Sequence, residues 1–315
     1  MTVTETAPTR TMADDATWHE MLGRLNRLSV DRHFDAYQDV PWDDPAYAID
    51  PADARWELPE GSPLAATDWY QAQPPERRAE IGLFDVAGKM KVGLQFENVL
   101  KRGLLEFALE LPDRTPEFRY AYHELIEEAQ HSLMFQEFVN RSGLEVRGMQ
   151  PLDKLAARRI VKLGRRFPSA FFFFVLGGED PIDHVQREAL ATDRELHPLL
   201  ERIMRIHVTE EARHLSFARS YLRRTVPGLP RRRRALLRVQ VPVTLGVMAS
   251  MMLRPSPSLV RRYGVPRRVL RRAYGSPEAR AGVVASLRKV RELCDELGLR
   301  TPAARLVWRA LRIDG

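Results

Sequence analysis

One five-residue phrase occurs twice in this sequence, each time inside a long segment with helical spacing. Residues 127–131 read Glu-Glu-Ala-Gln-His, and residues 210–214, which lie 83 positions further on, read Glu-Glu-Ala-Arg-His. In each copy the second glutamate and the histidine are three residues apart, about 300° around a helix, so both side chains project from one face. A single Glu-x-x-His pair is common on solvated helices, but two matched copies favour two turns that each bind a metal ion.

Four long segments with the apolar spacing of helices carry or flank these copies. We predict helices over about 83–111, 116–142, 168–191 and 198–224, separated by proline and glycine, and no alternating β pattern is present. Four successive phenylalanines, residues 171–174, should lie in the core or in a pocket wall. The predicted fold class is therefore all-α.

The chain divides into three regions by composition. Residues 1–80 are rich in proline and show no sustained period, which predicts a disordered start followed by a loop-rich collar. Residues 81–225 would form a four-helix bundle, and residues 226–315 would add C-terminal helices packed on it. We expect one domain overall.

Composition excludes several classes of protein. The hydrophobic content of 44% is ample for a large core, and Cys294 is the only cysteine, so neither a disulfide framework nor a thiolate metal site is possible. Any metal must bind through His, Asp and Glu. The N-terminus contains early acidic residues and no apolar secretory core, which favours a cytoplasmic protein.

Two stretches near the C-terminus invite other interpretations. The apolar run over residues 239–253 is interrupted by Gln240 and Pro242 and is shorter than the roughly 20 residues of a membrane span, so we predict a buried helix and no transmembrane segment. The net charge of +7 arises from late arginine runs such as residues 231–234. These runs can bind nucleic acid or lipid, but no aromatic interleaving accompanies them, which favours a solvated surface.

A carboxylate-bridged dimetal bundle needs one further glutamate from each of the other two helices. The first two helices form an antiparallel hairpin with its turn near residue 114, and Glu97 lies as far before that turn as His131 lies after it. Glu106 and Glu110 lie too near the turn. Glu97 also stands in an apolar stretch, residues 92–100, where a carboxylate without a partner would be costly.

The same argument applied to the second hairpin, with its turn near residue 195, selects Glu179 and rejects Glu188. Glu97 precedes Glu128 by 31 residues and Glu179 precedes Glu211 by 32. Two copies of this arrangement predict a pseudo-twofold, ferritin-like four-helix bundle with additional N- and C-terminal helices, a loop-rich N-terminal segment and two metal ions on its axis. Oxygen-rich sites with imidazoles suit iron or manganese.

The repeat is broken at one position. His207 lies four residues before Glu211 and seven before His214, on the same face of the helix, whereas the matching position in the first copy is Glu124. His207 is either a third imidazole ligand or an ordinary histidine bonded to a carboxylate.

Other polar residues in these helices are not assigned to the metal set. His123, His184 and His197 are expected to be surface groups or neighbours of the ligands. Asp180 and Asp183 could orient ligand histidines, or they could cap a helix broken at Pro181.

Together these residues resemble a known family, the AurF-type non-haem diiron N-oxygenases, whose founding member oxidises 4-aminobenzoate to 4-nitrobenzoate. The resemblance covers about residues 80–225, and the extra histidine is its most specific mark. Seven residues match the metal ligands of the family: Glu97, Glu128, His131, Glu179, His207, Glu211 and His214.

The resemblance implies a homodimeric oxygenase with two iron ions, dioxygen as co-substrate, an external electron donor and a small-molecule amine substrate. One departure concerns the substrate, because residues 92–96 are apolar apart from Gln95, where the founding enzyme would be expected to carry polar groups. Hydroxylation or desaturation of C–H bonds in an apolar substrate shares every ligand and stays open. So does metal binding without turnover, although the long extensions on both sides of the bundle favour an enzyme.

Overall fold

The computed structural model describes residues 12–315, with side chains from residue 15 onward. Throughout this part of the chain the regular structure is helical and contains no strand, so the predicted all-α class is confirmed. The helices are, in chain order, α1 (Met12–Asp31), α2 (Asp68–Gln71), α3 (Pro75–Ala108), α4 (Pro116–Ser142), α5 (Pro151–Val161), α6 (Leu163–Arg166), α7 (Pro168–Ala191), α8 (Pro198–Thr225), α9 (Arg231–Leu253), α10 (Pro257–Tyr263), α11 (Arg267–Gly275), α12 (Pro277–Ser286), α13 (Arg288–Glu296) and α14 (Pro302–Ala310).

Proline marks the starts of the four long helices of the bundle. Each of α3, α4, α7 and α8 has proline in its first turn, where the missing N–H is no loss and the fixed φ suits a helix. Helix α4 ends at Gly143, whose φ of 63° is the left-handed conformation that closes many helices. Helices α4, α7 and α8 lie within a residue of the predicted bounds.

Two N-terminal predictions differ from the structure. Helix α3 begins at Pro75, eight residues before the predicted start at 83, because the Pro74-Pro75 pair is a helix start and not part of a loop. The segment predicted as a disordered start contains α1, which packs on α4 and α8 and buries Trp18 and Leu22. Residues 1–11 of that prediction lie outside the described residues. The collar that follows, residues 32–74, consists of turns and short helices.

Two helical hairpins form the bundle. Helix α3 packs along α4, and α7 packs along α8, while α9 covers the outer side of α7. The main apolar core joins α1, α3, α7 and α9 to the C-terminal helices, and it contains all four phenylalanines 171–174, as predicted. A second cluster joins α3, α4 and α8 to the collar through Trp42 and Trp56.

Helix α9 is only partly buried, unlike the prediction from its sequence. Leu237, Val241 and Leu245 face α7, whereas Val239 and Val247 are each 51% exposed. The stretch Arg231–Tyr263 is long and apolar enough to cross a membrane, and 39% of its most apolar window is buried. The core helix of a soluble protein meets the same criterion, so this stretch is weak support for a membrane span.

Candidate dimetal centre

The structure brings the seven residues selected from the sequence into one buried cluster between α3, α4, α7 and α8. None of them is more than 2% exposed. Four carboxylates buried together without compensation would be very costly, since each ionised group loses its hydration and repels the others. The cluster is thus a site that needs cations or protons.

Two glutamates occupy the middle of the cluster. Glu128 Oε1 lies 3.0 Å from Nδ1 of His214, and Glu128 Oε2 lies 3.4 Å from Nδ1 of His131. Glu211 Oε1 lies 3.1 Å and 3.6 Å from the same two nitrogens. Each carboxylate therefore faces both histidines, which is the position of a bridge between two metal ions.

Glu97 and Glu179 reach the cluster from the two helices without a Glu-x-x-His pair. Glu97 Oε1 lies 3.9 Å from Nε2 of His207, which is also 3.9 Å from Glu211 Oε1. These distances are too long for hydrogen bonds, so the simple interpretation of His207 as a histidine bonded to a carboxylate is not supported. They are suitable for two ligand atoms on one ion.

The ligand atoms fall into groups in which all atoms lie within 4.8 Å of one another. The groups are Glu97–His131–His207, Glu128–His131–Glu211, Glu179–His207–Glu211 and Glu124–Glu128–His214. Many buried polar atoms of these residues make no hydrogen bond within the described part of the chain, including both oxygens of Glu128, Nδ1 of His131 and Oε2 of Glu211. Buried polar atoms rarely lack partners, and so many in one place fit a pair of bound metal ions.

Protons take the place of cations in the metal-free cluster. Burial, with the charge of Glu128, raises the pKa of Glu97 well above its usual range, and burial with the charge of Glu211 does the same for Glu179. Burial opposes the charged form of His131, but the adjacent carboxylates of Glu128 and Glu210 outweigh it and raise the pKa of His131 to about 10.

The outer nitrogens of His131 and His214 are each bound by a glutamate of the opposite helix. Nε2 of His131 donates to Glu210 Oε2 at 2.9 Å, and Nε2 of His214 donates to Glu127 Oε2 at 2.7 Å. With the proton on Nε2, Nδ1 is free to bind a metal ion. Arg213 lies between the two glutamates, 2.9 Å from Glu127 and 3.4 Å from Glu210.

The sequence analysis missed these two glutamates and considered aspartates of α7 instead. Asp180 pairs with Arg219, and Asp183 lies 2.7 Å from Arg187 and 3.5 Å from Lys289. Both lie inside α7, which continues through Pro181, so neither caps a broken helix. The sequence feature that could have identified Glu127 and Glu210 is their position as the first glutamate of each repeated phrase.

The other histidines lie away from the cluster. His123 accepts from Arg119 on the surface of α4, and His184 pairs with Glu188. His197 is fully buried, contrary to the expectation of a surface or ligand-orienting group. It caps α8 and stacks on Trp56 with ring centroids 4.2 Å apart.

The apolar wall predicted around residues 92–96 is present. Phe96 packs on Phe174 with ring centroids 5.0 Å apart, and Phe135 lies 5.5 Å from the ring of His207. Gln95, the polar member of that stretch, accepts a hydrogen bond from the backbone N–H of Met149 at 2.6 Å. Its amide oxygen is thereby engaged in the fold.

A cavity of about 1640 Å³ lies elsewhere, between the collar, α3, the end of α7 and the C-terminal helices. Its lining includes Asp85, Lys89, His184 and several arginines, and none of the seven cluster residues contributes to it.

Fold and site together define a ferritin-like bundle with a carboxylate–histidine centre for two metal ions. The sequence agrees, because residues 15–298 match the family described as P-aminobenzoate N-oxygenase AurF. The chain belongs to this family of ferritin-like diiron oxygenases.

Its relatives include Mb0909 of Mycobacterium bovis and MT0908 and Rv0885 of Mycobacterium tuberculosis, whose names describe them as uncharacterized proteins. Each is 42% identical over 305 residues, which cover 96% of this chain and 90% of the relative.

Proposed function

We propose that this protein is an oxygen-activating non-haem diiron oxygenase that converts an arylamine or other amine to a hydroxylamine, nitroso or nitro product. The observation that carries the proposal is the buried cluster of four glutamates and two Glu-x-x-His histidines with a third imidazole, His207, in a chain of the AurF family. Two ferrous ions and four carboxylates are together neutral, so the reduced centre suits a buried site.

The distances support a separate role for each set of residues. The two ions would be held by Glu97, Glu128, His131, Glu179, His207, Glu211 and His214. Bound iron would supply the capacity to reduce dioxygen with electrons from an external donor. Glu127 and Glu210 hold the protons on Nε2 of the histidines, and Phe96 and Phe135 exclude water from one side of the cluster.

A second candidate reaction is oxidation of C–H bonds in an apolar substrate. It is favoured by the apolar side chains of Phe96 and Phe135 and by the engagement of the Gln95 amide oxygen with the backbone N–H of Met149. Metal storage without turnover would need no such wall.

Purified protein from iron-replete cells would be analysed for metal, reduced without oxygen, and then mixed with oxygen and a panel of arylamines or apolar hydrocarbons. We expect two irons per chain and oxygenated arylamine products detected by mass spectrometry. Glu128→Ala and Glu211→Ala should lose both metal and turnover, while the surface variant Glu188→Ala should retain both. Hydroxylated or desaturated hydrocarbons without arylamine products would favour the second reaction, and fewer than one iron per chain, unchanged in the two ligand variants, would exclude both.

The cytoplasmic location remains a prediction from the sequence, and the homodimer and the external electron donor remain predictions from the family resemblance. Size-exclusion chromatography with light scattering would test the dimer directly.

A further inference from the structure

Helix α4 carries a fifth carboxylate on the face that holds Glu128 and His131. Glu124 lies four residues before Glu128 and seven before His131, so the three side chains share one face. Glu124 is 1% exposed, and its Oε2 makes no hydrogen bond within the described part of the chain. A carboxylate buried in this way requires an explanation.

The ligand atoms of Glu124, Glu128 and His214 all lie within 4.8 Å of one another. This group shares no residue with the group Glu97, His131 and His207. Two separate groups on two sides of one cluster are the arrangement expected when each surrounds its own ion. Glu124 thus lies beside the ion nearest to His214.

The internal repeat leads to the same position. His207 stands four residues before Glu211 in the second copy, and Glu124 stands four residues before Glu128 in the first. Glu124 and His207 therefore occupy corresponding positions in the two copies of the repeat. If His207 binds the ion on its side, Glu124 occupies the equivalent coordination position on the other side.

Among the described residues, no salt bridge of Glu124 with an arginine or lysine is present. Tyr120, one turn earlier, is fully buried and its hydroxyl makes no hydrogen bond within the described residues. Arg213 is engaged by Glu127 and Glu210. His214 is the cationic group that acts on Glu124 from within the cluster, and it is itself a ligand candidate.

We propose that Glu124 is an eighth metal ligand, a terminal carboxylate on the ion bound by His214 and opposite His207. The inference rests on the dimetal function proposed above. It makes the two ions unequal: one would have two imidazoles, and the other would have one imidazole and an additional anionic oxygen. The added negative charge should stabilise the oxidised pair and lower its reduction potential.

Iron binding and the Mössbauer spectrum of the reduced protein would be compared in wild type, Glu124→Gln and Asp183→Asn. Asp183 is a matched control because it is a buried carboxylate, paired with Arg187 and Lys289, outside the metal groups. We expect Glu124→Gln to weaken the binding of one of the two iron ions at least about tenfold. It should also change one of the two ferrous Mössbauer signals and raise the reduction potential of the centre. Asp183→Asn should match wild type. Two irons bound by Glu124→Gln within about twofold of wild-type affinity, with both signals unchanged, would overturn the inference and leave the dimetal function intact.

Thermal unfolding of the metal-free proteins separates a ligand from a structural residue. A ligand without its ion is a buried carboxyl group that the fold does not need, so metal-free Glu124→Gln should melt no lower than wild type, and added iron should raise its melting temperature by less. A lower melting temperature without metal, together with an unchanged gain on iron addition, would assign Glu124 a structural role and overturn the inference. A wild-type protein that binds fewer than two irons would instead refute the dimetal function.

Discussion

At the residue scale, the site depends on glutamates that never reach the metal positions. Glu127 lies on α4 and Glu210 lies on α8, but each accepts a hydrogen bond from the histidine of the opposite helix. This exchange fixes the orientation of both imidazole rings. It also ties α4 to α8 at the level of the cluster.

Replacement of Glu210 by glutamine should weaken metal binding about 10- to 100-fold. The amide keeps the shape but removes the charge that makes the ring of His131 a stronger donor, and it frees one partner of Arg213. Metal titration with a competing chelator would measure the loss. The matched control is Glu201→Gln, which removes an exposed glutamate paired with Arg205 on the same helix and should bind metal like wild type. Equal affinity in both variants would show that Glu210 does not support the ligand.

The sequence was sufficient to select seven of the eight residues whose ligand atoms form the cluster, all except Glu124, because spacing along helices determines which side chains share a face and a depth. It was insufficient for Glu127 and Glu210, since their partners lie on another helix and depend on how α4 and α8 pack. The same reason explains the misplaced attention to Asp180, whose partner Arg219 lies on α8. The spacing of residues within a helix can be determined from the sequence, whereas the contacts between helices cannot.

At the element scale, helix starts were predictable where proline follows a loop and less so elsewhere. The predicted starts at Pro116, Pro168 and Pro198 agree with the structure. The start at Pro75 was not predicted, because Pro74 precedes it and the pair was interpreted as a loop. Helix α1 escaped prediction because its burial depends on α4 and α8. Its own apolar pattern is weak compared with that of α8.

The contact between α6 and α3 tolerates no side chain at Gly164. A Cβ atom there would lie 2.0 Å from the carbonyl oxygen of Gly103 on α3, and backbone cannot move as a side chain can. We expect Gly164→Ala to destabilise the protein by about 3 kcal/mol. Gly282→Ala, an exposed helix position with open space around it, should instead stabilise it by up to about 1 kcal/mol. Urea unfolding would measure both, and equal effects would contradict the close contact.

The start of α8 should make stability depend on pH through His197. Its Nδ1 accepts from the N–H of Leu199 at 3.3 Å, and its Nε2 donates to the carbonyl of Ala48 at 3.2 Å, which requires a neutral ring. Burial lowers the pKa of His197 below its usual 6.5. The unfolded chain therefore binds this proton at higher pH than the folded protein does.

The contribution of His197 is present above about pH 6.5 and is lost as pH falls through the lowered pKa. The free energy of unfolding of wild type should thus decrease more steeply below about pH 6.5 than that of His197→Asn, which keeps a capping group without a titratable ring. Unfolding curves at several pH values would measure the two slopes. Parallel slopes would exclude a role for this histidine in the pH dependence.

At the scale of the whole molecule, two hairpins supply the ligands and the rest of the chain seals them. The collar covers one end through Trp56, and the C-terminal helices cover α7 through α9. A cluster so enclosed is dry, which makes its charge state a major determinant of the stability of the whole bundle.

Metal removal should therefore give the folded protein a pH dependence that the metal-loaded protein lacks. Without metal, burial raises the pKa of Glu124 to about 8, and the pKa of His131 lies at about 10. Above about pH 6.5 the folded state thus holds protons that the unfolded chain has released, so its stability falls as pH rises. The lowered pKa of His207 acts below pH 6.5 and does not offset this effect.

Chemical unfolding with a chelator or with excess Mn²⁺, at about pH 7 and about pH 8.5, would test this expectation. The chelated protein should be less stable at the higher pH, and the stabilisation by Mn²⁺ should be larger there, because the ions replace protons that are then easier to remove. Metal addition near pH 7 in a weak buffer should also release protons. A metal-dependent stabilisation that is equal at both pH values would mean that the cluster carries no exchangeable protons, and that its carboxylates are neutralised by residues of the protein instead.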